Sequence, residues 1–171
     1  MSSAILPRLT PRDFAILETI LADHLGGGDQ LIAAVRKKLR LAQLVFADDL
    51  AKDVATIGSR IVFSIDDGVP QERTLVSVEH YVPGQGHQTL ASLRGVALLG
   101  LSAGERIAID CGGRLEQLEL HRVLYQPESE IKARKKQSPI HLVSSRDDKQ
   151  SVGPHRLKMP HPDDDPGPSA A

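Results

Sequence analysis

The hydrophobic period of the sequence changes near Thr56, and this change constrains the fold more than any other feature. Before Thr56, apolar residues recur every three or four positions, which is the spacing of a helix with one buried face. After Thr56, short segments alternate apolar and polar residues, which is typical of half-buried strands. The sequence therefore predicts an α+β fold in which the helices precede a sheet.

The first part of the chain is predicted to form two helices. Thr10 caps the first helix, and Asp13 stands three residues later, where a capping-box carboxylate reaches back. A run of glycines at 26–28 ends this helix, and Asp29 is placed to cap a second helix over 30–46. Because the connection is short, we expect an antiparallel hairpin. Two short helices bury little surface alone, so the hairpin should lean on the next domain.

The middle of the chain is predicted to form a bent antiparallel sheet with one short helix. Ser92 is placed to cap that helix, which is expected over 94–99 and is closed by Gly100. A Gly-Gly pair at 112–113, between two alternating segments, is a strong hairpin signal. The predicted strands are 60–65, 72–81, 89–91, 105–111 and 115–125.

Three regions follow from this pattern. They are a helical hairpin (a short coiled coil) over 1–50, a sheet domain over 54–126 and a tail over 127–171. The tail is polar and rich in proline and charge, so we expect it to be mostly disordered. A short helix over 129–137 is the alternative for its first part.

The composition limits the classes of partner. Aromatic residues make up 3% of the chain and tryptophan is absent, which argues against nucleic-acid binding by base stacking. The net charge of −1 argues against a protein that grips phosphates, so no stable sequence-specific binding of nucleic acid is expected. No apolar run reaches the roughly 20 residues that span a bilayer, and the first residues lack a signal-peptide pattern. Cys111 is the only cysteine, which fits a reducing compartment. From these features together we expect a cytoplasmic protein without a membrane partner.

The stretch from Ser92 to Gly100 carries a family resemblance. Its sequence, Ser-Leu-Arg-Gly-Val-Ala-Leu-Leu-Gly, resembles the Ser-Pro-Ile-Gly-x-Ala-Leu-Leu-Gly segment in the C-terminal domain of the Gre transcript-cleavage factors. The Gly-Ser-Arg-Ile segment at 58–61 is similar to the start of that domain, and the Gly-Gly pair at 112–113 is similar to its final hairpin. The resemblance covers about residues 54–126 and implies an FKBP-like fold.

The N-terminal third narrows the resemblance. Gre factors carry a much longer coiled-coil finger. A short hairpin before a Gre-like domain is instead the arrangement of the regulator of nucleoside diphosphate kinase family. The segments Arg-Thr-Leu-Val at 73–76 and Leu-Glu-Leu at 118–120 are further points of similarity to that family.

The resemblance also implies a partner. The Gre-like domain would dock on a coiled coil of core RNA polymerase at the rim of its secondary channel. The docking segment would be Ser92, Leu93, Arg94 and Gly95, with Leu93 where the family usually has proline. The alternative interpretation is structural, with Ser92 as a helix cap and Leu93 as a core residue. The sequence leaves both interpretations open.

The tip of the hairpin decides between transcript cleavage and binding alone. The Gre resemblance implies two fingertip carboxylates that hold a magnesium ion, and such a site needs the carboxylates side by side. Here Asp23 and Asp29 flank the turn around Gly27 and do not form that pattern. The alternative roles are an N-cap for Asp29 and an ordinary exposed position for Asp23. We therefore expect no cleavage activity, no metal site and no cofactor.

A basic face is predicted on the second helix. Arg36 and Arg40 lie four residues apart with Lys37 beside them, in a basic run that also contains Lys38. This face is either solvated, or it contacts an acidic polymerase surface or nascent nucleic acid. A second basic run at 132–136 has the same two interpretations.

The residues do not suggest an enzyme. Gly95 and Gly100 have the glycine spacing of a P-loop, but Leu101 replaces the lysine that would neutralise phosphate. The favoured function is a non-catalytic transcription regulator that binds RNA polymerase and competes with Gre factors. The alternatives are an FKBP-like peptidyl-prolyl isomerase, for which the sheet region has few aromatic residues, and a direct regulator of nucleoside diphosphate kinase. The oligomeric state is left open.

Overall fold

The computed structural model describes residues 5–23 and 28–137. Gly27 of the predicted hairpin tip and the predicted disordered tail beyond residue 137 lie outside the described residues.

The helical hairpin consists of α1 (Pro11–Asp23) and α2 (Asp29–Leu41), which pack against each other. As predicted, Thr10 caps α1, because its Oγ1 accepts a hydrogen bond from the backbone N–H of Asp13 at 3.1 Å. The Asp13 carboxylate also reaches beyond its own helix. It accepts a hydrogen bond from the backbone N–H of Ile57 at 3.2 Å, which joins the start of α1 to the segment before the sheet.

The second helix differs from the prediction at both ends. Asp29 does not cap it, because Gly28 occupies the N-cap position and Asp29 is already helical. The predicted continuation beyond Leu41 is also wrong. The chain instead extends into β2 (Gln43–Leu44), which pairs in parallel with β1 (Arg8–Leu9) just ahead of α1. Pairing of residues 43–44 with β1, which is distant in sequence, therefore outweighs the apolar periodicity that predicted helix to residue 46.

The second sheet contains five strands in the order β5-β4-β3-β7-β6. In chain order they are β3 (Arg60–Ile65), β4 (Gln71–Val76), β5 (His87–Thr89), β6 (Arg106–Asp110) and β7 (Leu115–Tyr125). The strands pair antiparallel except for β4 and β5, which are parallel. Irregular register between β3 and β7 accompanies the predicted bend of the sheet.

Two strand predictions needed correction. Strand β4 is shorter than predicted, because a turn of 3₁₀ helix (Val78–His80) replaces its second half. Strand β5 ends at Thr89, two residues before the predicted end, because the following residues form the turn that leads into the next helix.

Two further helices flank the sheet. Helix α3 (Leu93–Leu98) begins directly after Ser92, which caps it as predicted. Helix α4 (Pro127–Gln137) follows β7 and agrees with the alternative of a helix in the first part of the tail.

One hydrophobic core joins the hairpin to the sheet. Leu17 and Val35 of the hairpin belong to the same buried cluster as Ile61 and Leu118 of the sheet. Phe63 is the one aromatic side chain buried among the described residues, so the core is mainly aliphatic, as the composition predicts. The predicted α+β fold, with a hairpin that leans on a curled and largely antiparallel sheet, is confirmed.

The segment before α1 approaches the turn after α3 closely at Gly100, which has a φ of +81°. The backbone N–H of Arg8 donates to the Gly100 carbonyl at 3.0 Å, and the N–H of Gly100 donates to the Ala55 carbonyl at 2.8 Å. A Cβ at position 100 would lie 2.9 Å from the Arg8 carbonyl oxygen. Glycine is therefore required here, both for the positive φ and for the close approach of β1.

No helix in the described part of the chain is long and apolar enough to cross a membrane.

Candidate docking surface

The predicted docking segment lies at the start of α3, where Ser92 organises the turn. Its Oγ accepts from the backbone N–H of Gly95 at 3.1 Å and from Gln88 Nε2 at 2.7 Å, and it donates to the Thr89 carbonyl at 2.7 Å. The capping role considered for Ser92 is thus present in the structure. With three bonds already made, this hydroxyl holds the loop in shape, and a direct contact with a partner stays a prediction.

Gly95 is buried where α3 crosses the end of β5. A Cβ built at this position would lie 2.0 Å from the carbonyl oxygen of Thr89. No side chain fits in that space, so the residue must be glycine for α3 to pack this closely. The glycine of the motif therefore has a packing role, and any contact with a partner must come from its neighbours.

Leu93 is half-buried and occupies the first position of α3. Part of its side chain packs against the hydrophobic core, and part stays accessible. Proline is well tolerated at a first helical position, and Ser92 before it is extended, as a residue before proline must be. The backbone therefore suits the proline of the family motif, and leucine here is a change of side chain rather than of loop shape.

Arg94 is held by a two-point ion pair with Glu116 of β7. Its Nε and Nη2 donate to the two carboxylate oxygens, each at 2.8 Å. The side chain of Glu116 is 7% exposed, whereas that of Arg94 is 42% exposed. The hydrogen bonds from Arg94 hold the pKa of Glu116 below its ordinary value. Arg94 thus presents an oriented cationic surface beside Leu93.

Cys111 contacts the same Glu116 carboxylate. Its Sγ donates to Glu116 Oε2 at 3.6 Å. Burial, and then the nearby carboxylate, raise the pKa of the Cys111 thiol. The neutral thiol is therefore the form favoured at this position.

The basic face of α2 contains only part of the basic run. Arg36, Lys37 and Arg40 are exposed, as predicted for such a face. Lys38 instead turns inward, and its Nζ donates to the backbone carbonyls of Ala97 (2.9 Å) and Leu99 at the end of α3. A basic group at this position satisfies carbonyls that a helix leaves without partners.

Burial of Lys38 lowers its pKa to about 7. Sequence reasoning missed this role, although a signal was present. Lys38 follows Leu31 and Val35 at helical spacing, so it lies on the buried stripe of α2 and not on its basic face.

A second buried polar cluster ties α1 and α4 to the segment before the sheet. Glu128 is buried, and its Oε2 accepts from the Thr56 hydroxyl at 2.7 Å. Asp13 lies nearby, and burial, with a smaller contribution from Glu128, raises the pKa of Asp13 to about 6. One carboxylate oxygen of Asp13 has no hydrogen-bond partner in the described structure. No sequence signal predicted this cluster, because Glu128 lies in the region expected to be disordered.

The two carboxylates at the hairpin tip are exposed. Asp23 is the last residue of α1 and Asp29 is the first residue of α2. At the start of α2, the charge of Asp29 interacts favourably with the helix dipole. Within the ranges 5–23 and 28–137, no group of three or more His, Cys, Asp or Glu side chains is arranged to hold a metal ion.

No family model matches the sequence. Similarity to individual proteins is clear, however. The regulator of nucleoside diphosphate kinase of Escherichia coli strain K12 is 30% identical over 115 residues, which are 66% of this chain and 85% of that protein. The protein of the same name from Shigella flexneri is similar to the same extent. The chain belongs to the regulator of nucleoside diphosphate kinase family.

A solved structure extends the comparison to the fold. The prokaryotic transcription elongation factor GreA/GreB from Nitrosomonas europaea superimposes on this chain with a TM-score of 0.55, and the two sequences are 23% identical. The match covers 71% of this chain and 99% of that structure. Both parts of the predicted resemblance are thereby confirmed: membership of the family and likeness to the Gre fold.

Proposed function

We propose that this family member is a non-catalytic transcription regulator that binds core RNA polymerase near the secondary channel. Family membership and a fold shared with a transcription elongation factor support the proposal. The observation that carries it is the start of α3, where Leu93 and Arg94 reach solvent from a rigid turn. A docking contact needs both features: an accessible apolar and charged surface, and a backbone that loses little freedom on binding.

The same surface supports competition with Gre factors. A domain of this fold that uses the equivalent turn would occupy the same place on the polymerase, so the two proteins would exclude each other. Asp23 ends α1 and Asp29 begins α2, six positions further along the chain, which is not the side-by-side sequence pattern of a Gre cleavage site. The regulator would therefore bind where a Gre factor binds without cleaving RNA.

The name of the relatives suggests an effect on nucleoside diphosphate kinase. We place this effect downstream of transcription, because Leu101 stands where a P-loop would need lysine. The isomerase alternative is weakened by Phe63, which is buried in the core and is thus not available to line a proline pocket.

The proposal is tested by titrating bacterial core RNA polymerase against the immobilised full chain. Leu93→Asp should weaken binding by at least tenfold, because it places a charge in the apolar part of the contact. Leu124→Asp is the matched control, since Leu124 is 43% exposed and lies eight residues along β7 from Glu116, the partner of Arg94. A Gre factor added in excess should displace the wild-type chain. Equal binding of the two variants, or no displacement by the Gre factor, would contradict the proposal.

A further inference from the structure

A groove of about 260 Å³ lies between helix α2 and the edge strand β6. Both elements pack against α3, which forms the floor between them. The walls and floor are mostly apolar and include Ala34, Leu41, Leu93, Val96 and Leu101. We refer to this feature as the α2–β6 groove. Its apolar lining and its volume suit two or three side chains of a bound molecule.

One wall of the groove is the edge of the sheet. Strand β6 pairs with β7 on one side only. At one end of β6 the Glu105 carbonyl accepts from the N–H of Leu120 in β7, and at the other end the N–H of Cys111 donates to the carbonyl of Arg114, just before β7. Hydrogen bonding alternates along an antiparallel pair. The backbone N–H and carbonyl groups of Ile107 and Ile109 therefore also point toward β7, whereas those of Arg106, Ala108 and Asp110 point away from it.

The contacts of the outward-facing residues agree with this alternation. The carbonyl of Asp110 accepts a hydrogen bond from Gln30 Nε2 of α2, which closes that end of the groove. Ala108, in the middle of the strand, lines the groove. By this alternation its backbone N–H and carbonyl point away from β7, and within the described part of the chain no group outside the sheet bonds to them. The groove thus combines apolar walls with an unpaired strand edge.

The rim of the groove is basic on the side of α2. Lys37 is exposed and lines the groove, and Arg36 and Arg40 continue the positive charge along the helix. The carboxylate opposite, on Asp110, already accepts a hydrogen bond from the backbone N–H of Gly113 at 2.6 Å. An approaching molecule therefore meets hydrogen-bonding groups on one wall, apolar surface below and positive charge above.

We propose that the α2–β6 groove binds an extended segment of a partner protein, which adds to β6 as a further strand. One apolar side chain of the segment sits between Leu41 and Leu93, and acidic side chains beside it face Lys37. Strand addition uses main-chain hydrogen bonds for affinity and side-chain pockets for specificity. This site shares Leu93 with the proposed docking segment but has its walls on α2 and β6, and its test does not require polymerase.

The chain's own C-terminal region is a poor candidate for the occupant. Its acidic run at 163–165 stands among prolines at 160, 162, 166 and 168, which have no N–H to donate to a strand. Its Ile-His-Leu-Val segment at 140–143 follows the basic Lys135 and Lys136, and Ser-Ser-Arg at 144–146 separates it from the next acidic residues, at 147–148. Charge complementarity therefore favours a segment from another protein.

The test begins with random linear peptides displayed on phage and selected on the full chain. We expect the recovered peptides to alternate apolar and acidic residues. Ala34→Trp, which fills the groove, should reduce their affinity by at least tenfold. Ala15→Trp is the control, because Ala15 is exposed on α1, which contributes no residue to the groove, and this variant should bind peptide like the wild type. Recovery of no peptide, or equal binding to both variants, would overturn the proposal.

A second set of measurements asks whether the peptide adds as a strand. N-methylation of every second peptide amide should weaken binding about tenfold in one register and little in the other, since only alternate N–H groups face β6. Hydrogen exchange of the Ala108 amide should slow when peptide is bound. Ala108→Pro removes the outward N–H and should abolish binding, which keeps the test valid if Ala34→Trp does not fold. Uniform sensitivity to N-methylation and unchanged exchange at Ala108 would exclude strand addition.

Two other occupants give distinct results. A synthetic peptide of residues 138–171 that displaces the selected peptides at lower concentration would identify the chain's own segment. A dimer in sedimentation that Ala34→Trp dissociates would identify a second copy. Either result would overturn the assignment to a partner protein.

Discussion

Burial shifts the pKa of two ionisable side chains in this protein toward neutrality, those of Lys38 in α2 and Asp13 in α1. Lys38 reaches two carbonyl oxygens at the end of α3, and a neutral amine has two hydrogens, one for each of them. Asp13 accepts from Ile57, while its second oxygen lacks a partner in the described structure. In each case burial favours the neutral form, so the two groups have opposite effects on the dependence of stability on pH.

Lys38→Met should change how stability depends on pH above neutrality. The pKa of Lys38 falls from 10.5 to about 7 on folding, so between these values the unfolded chain binds a proton that the folded chain does not. The wild type should therefore gain stability relative to the variant as pH rises above 7, with a slope of at most about 1.4 kcal/mol per pH unit. Urea denaturation at several pH values from 6 to 9 measures this. Lys37→Met, at the exposed neighbouring position, is the control, and its unfolding free energy should vary with pH in the same way as that of the wild type. A constant difference between wild type and Lys38→Met would refute the prediction.

Asp13→Asn should reveal the opposite trend below neutrality. The pKa of Asp13 rises from 3.8 to about 6 on folding, so between these values the folded chain binds the extra proton. The wild type should be less stable than the variant at pH 7.5 and should recover as the pH falls through 6. The recovery amounts to at most about 3 kcal/mol, because each pKa unit corresponds to about 1.4 kcal/mol.

The control for this experiment is Asp23→Asn at the exposed end of α1. The difference in unfolding free energy between this control and the wild type should not vary with pH in the same range. If Asp13→Asn behaves like the control, burial of the Asp13 charge is not what limits stability near neutral pH.

At the scale of elements, helix α3 is oriented by contacts at both of its ends. Ser92 caps its first turn, Arg94 ties that turn to β7, and Lys38 of α2 binds the carbonyls of its last turn. A helix of six residues has little stability of its own, so these contacts decide where it points. The surface that we propose for docking is therefore a product of three neighbouring elements.

Glu116→Gln should loosen this helix and change the reactivity of Cys111. Losing the ion pair should lower the free energy of unfolding by about 1–2 kcal/mol. This is less than for a fully buried pair, because solvent reaches Arg94 and screens the interaction. Removing the carboxylate should also lower the raised pKa of the Cys111 thiol, so that iodoacetamide alkylates it faster at pH 8. Mass spectrometry of the alkylated chain measures the rate. Glu119→Gln, on the same strand but away from Cys111, should leave the rate unchanged, and an equal effect of both variants would argue against the contact.

Elements that depend on local signals were predicted well from the sequence. The cap at Thr10 and the strands 60–65 and 115–125 follow from neighbouring residues, and the structure confirms them. The end of α2 was predicted wrongly because its apolar spacing continues past Leu41, where pairing with β1 takes over. The parallel pairing of β4 with β5 likewise depends on contacts between distant segments, which no local pattern contains.

The same distinction holds for the candidate site. The capping role of Ser92 and the exposed basic residues of α2 could be predicted, since both depend on positions within one helix. The partner of Arg94, by contrast, is 22 residues away, and the carbonyls bound by Lys38 are about 60 residues away. These partners could not be assigned before the arrangement of the elements was known.

At the scale of the whole molecule, the hairpin and the sheet depend on each other. Four hairpin side chains, Leu17, Ile20, Leu31 and Val35, are at most 5% exposed and belong to the common core. Burial of a large aliphatic side chain contributes about 1.5–3 kcal/mol, so the four together contribute about 6–12 kcal/mol. That is as large as the net stability of a typical domain, about 5–15 kcal/mol. The sheet should therefore not remain folded without the hairpin.

A chain of residues 51–137 should accordingly lose its cooperative melting transition, whereas a chain of residues 1–137 should melt within a few degrees of the full protein. Without the hairpin, Val96 and Leu99 lose their apolar cover, and the carbonyls at the end of α3 lose the Lys38 amine. Differential scanning calorimetry and near-ultraviolet circular dichroism of the two chains make the comparison. A sharp transition in the 51–137 chain, at a temperature close to that of the 1–137 chain, would show that the sheet is an independent domain. In that case the hairpin could move relative to the sheet, and the α2–β6 groove would not have fixed walls.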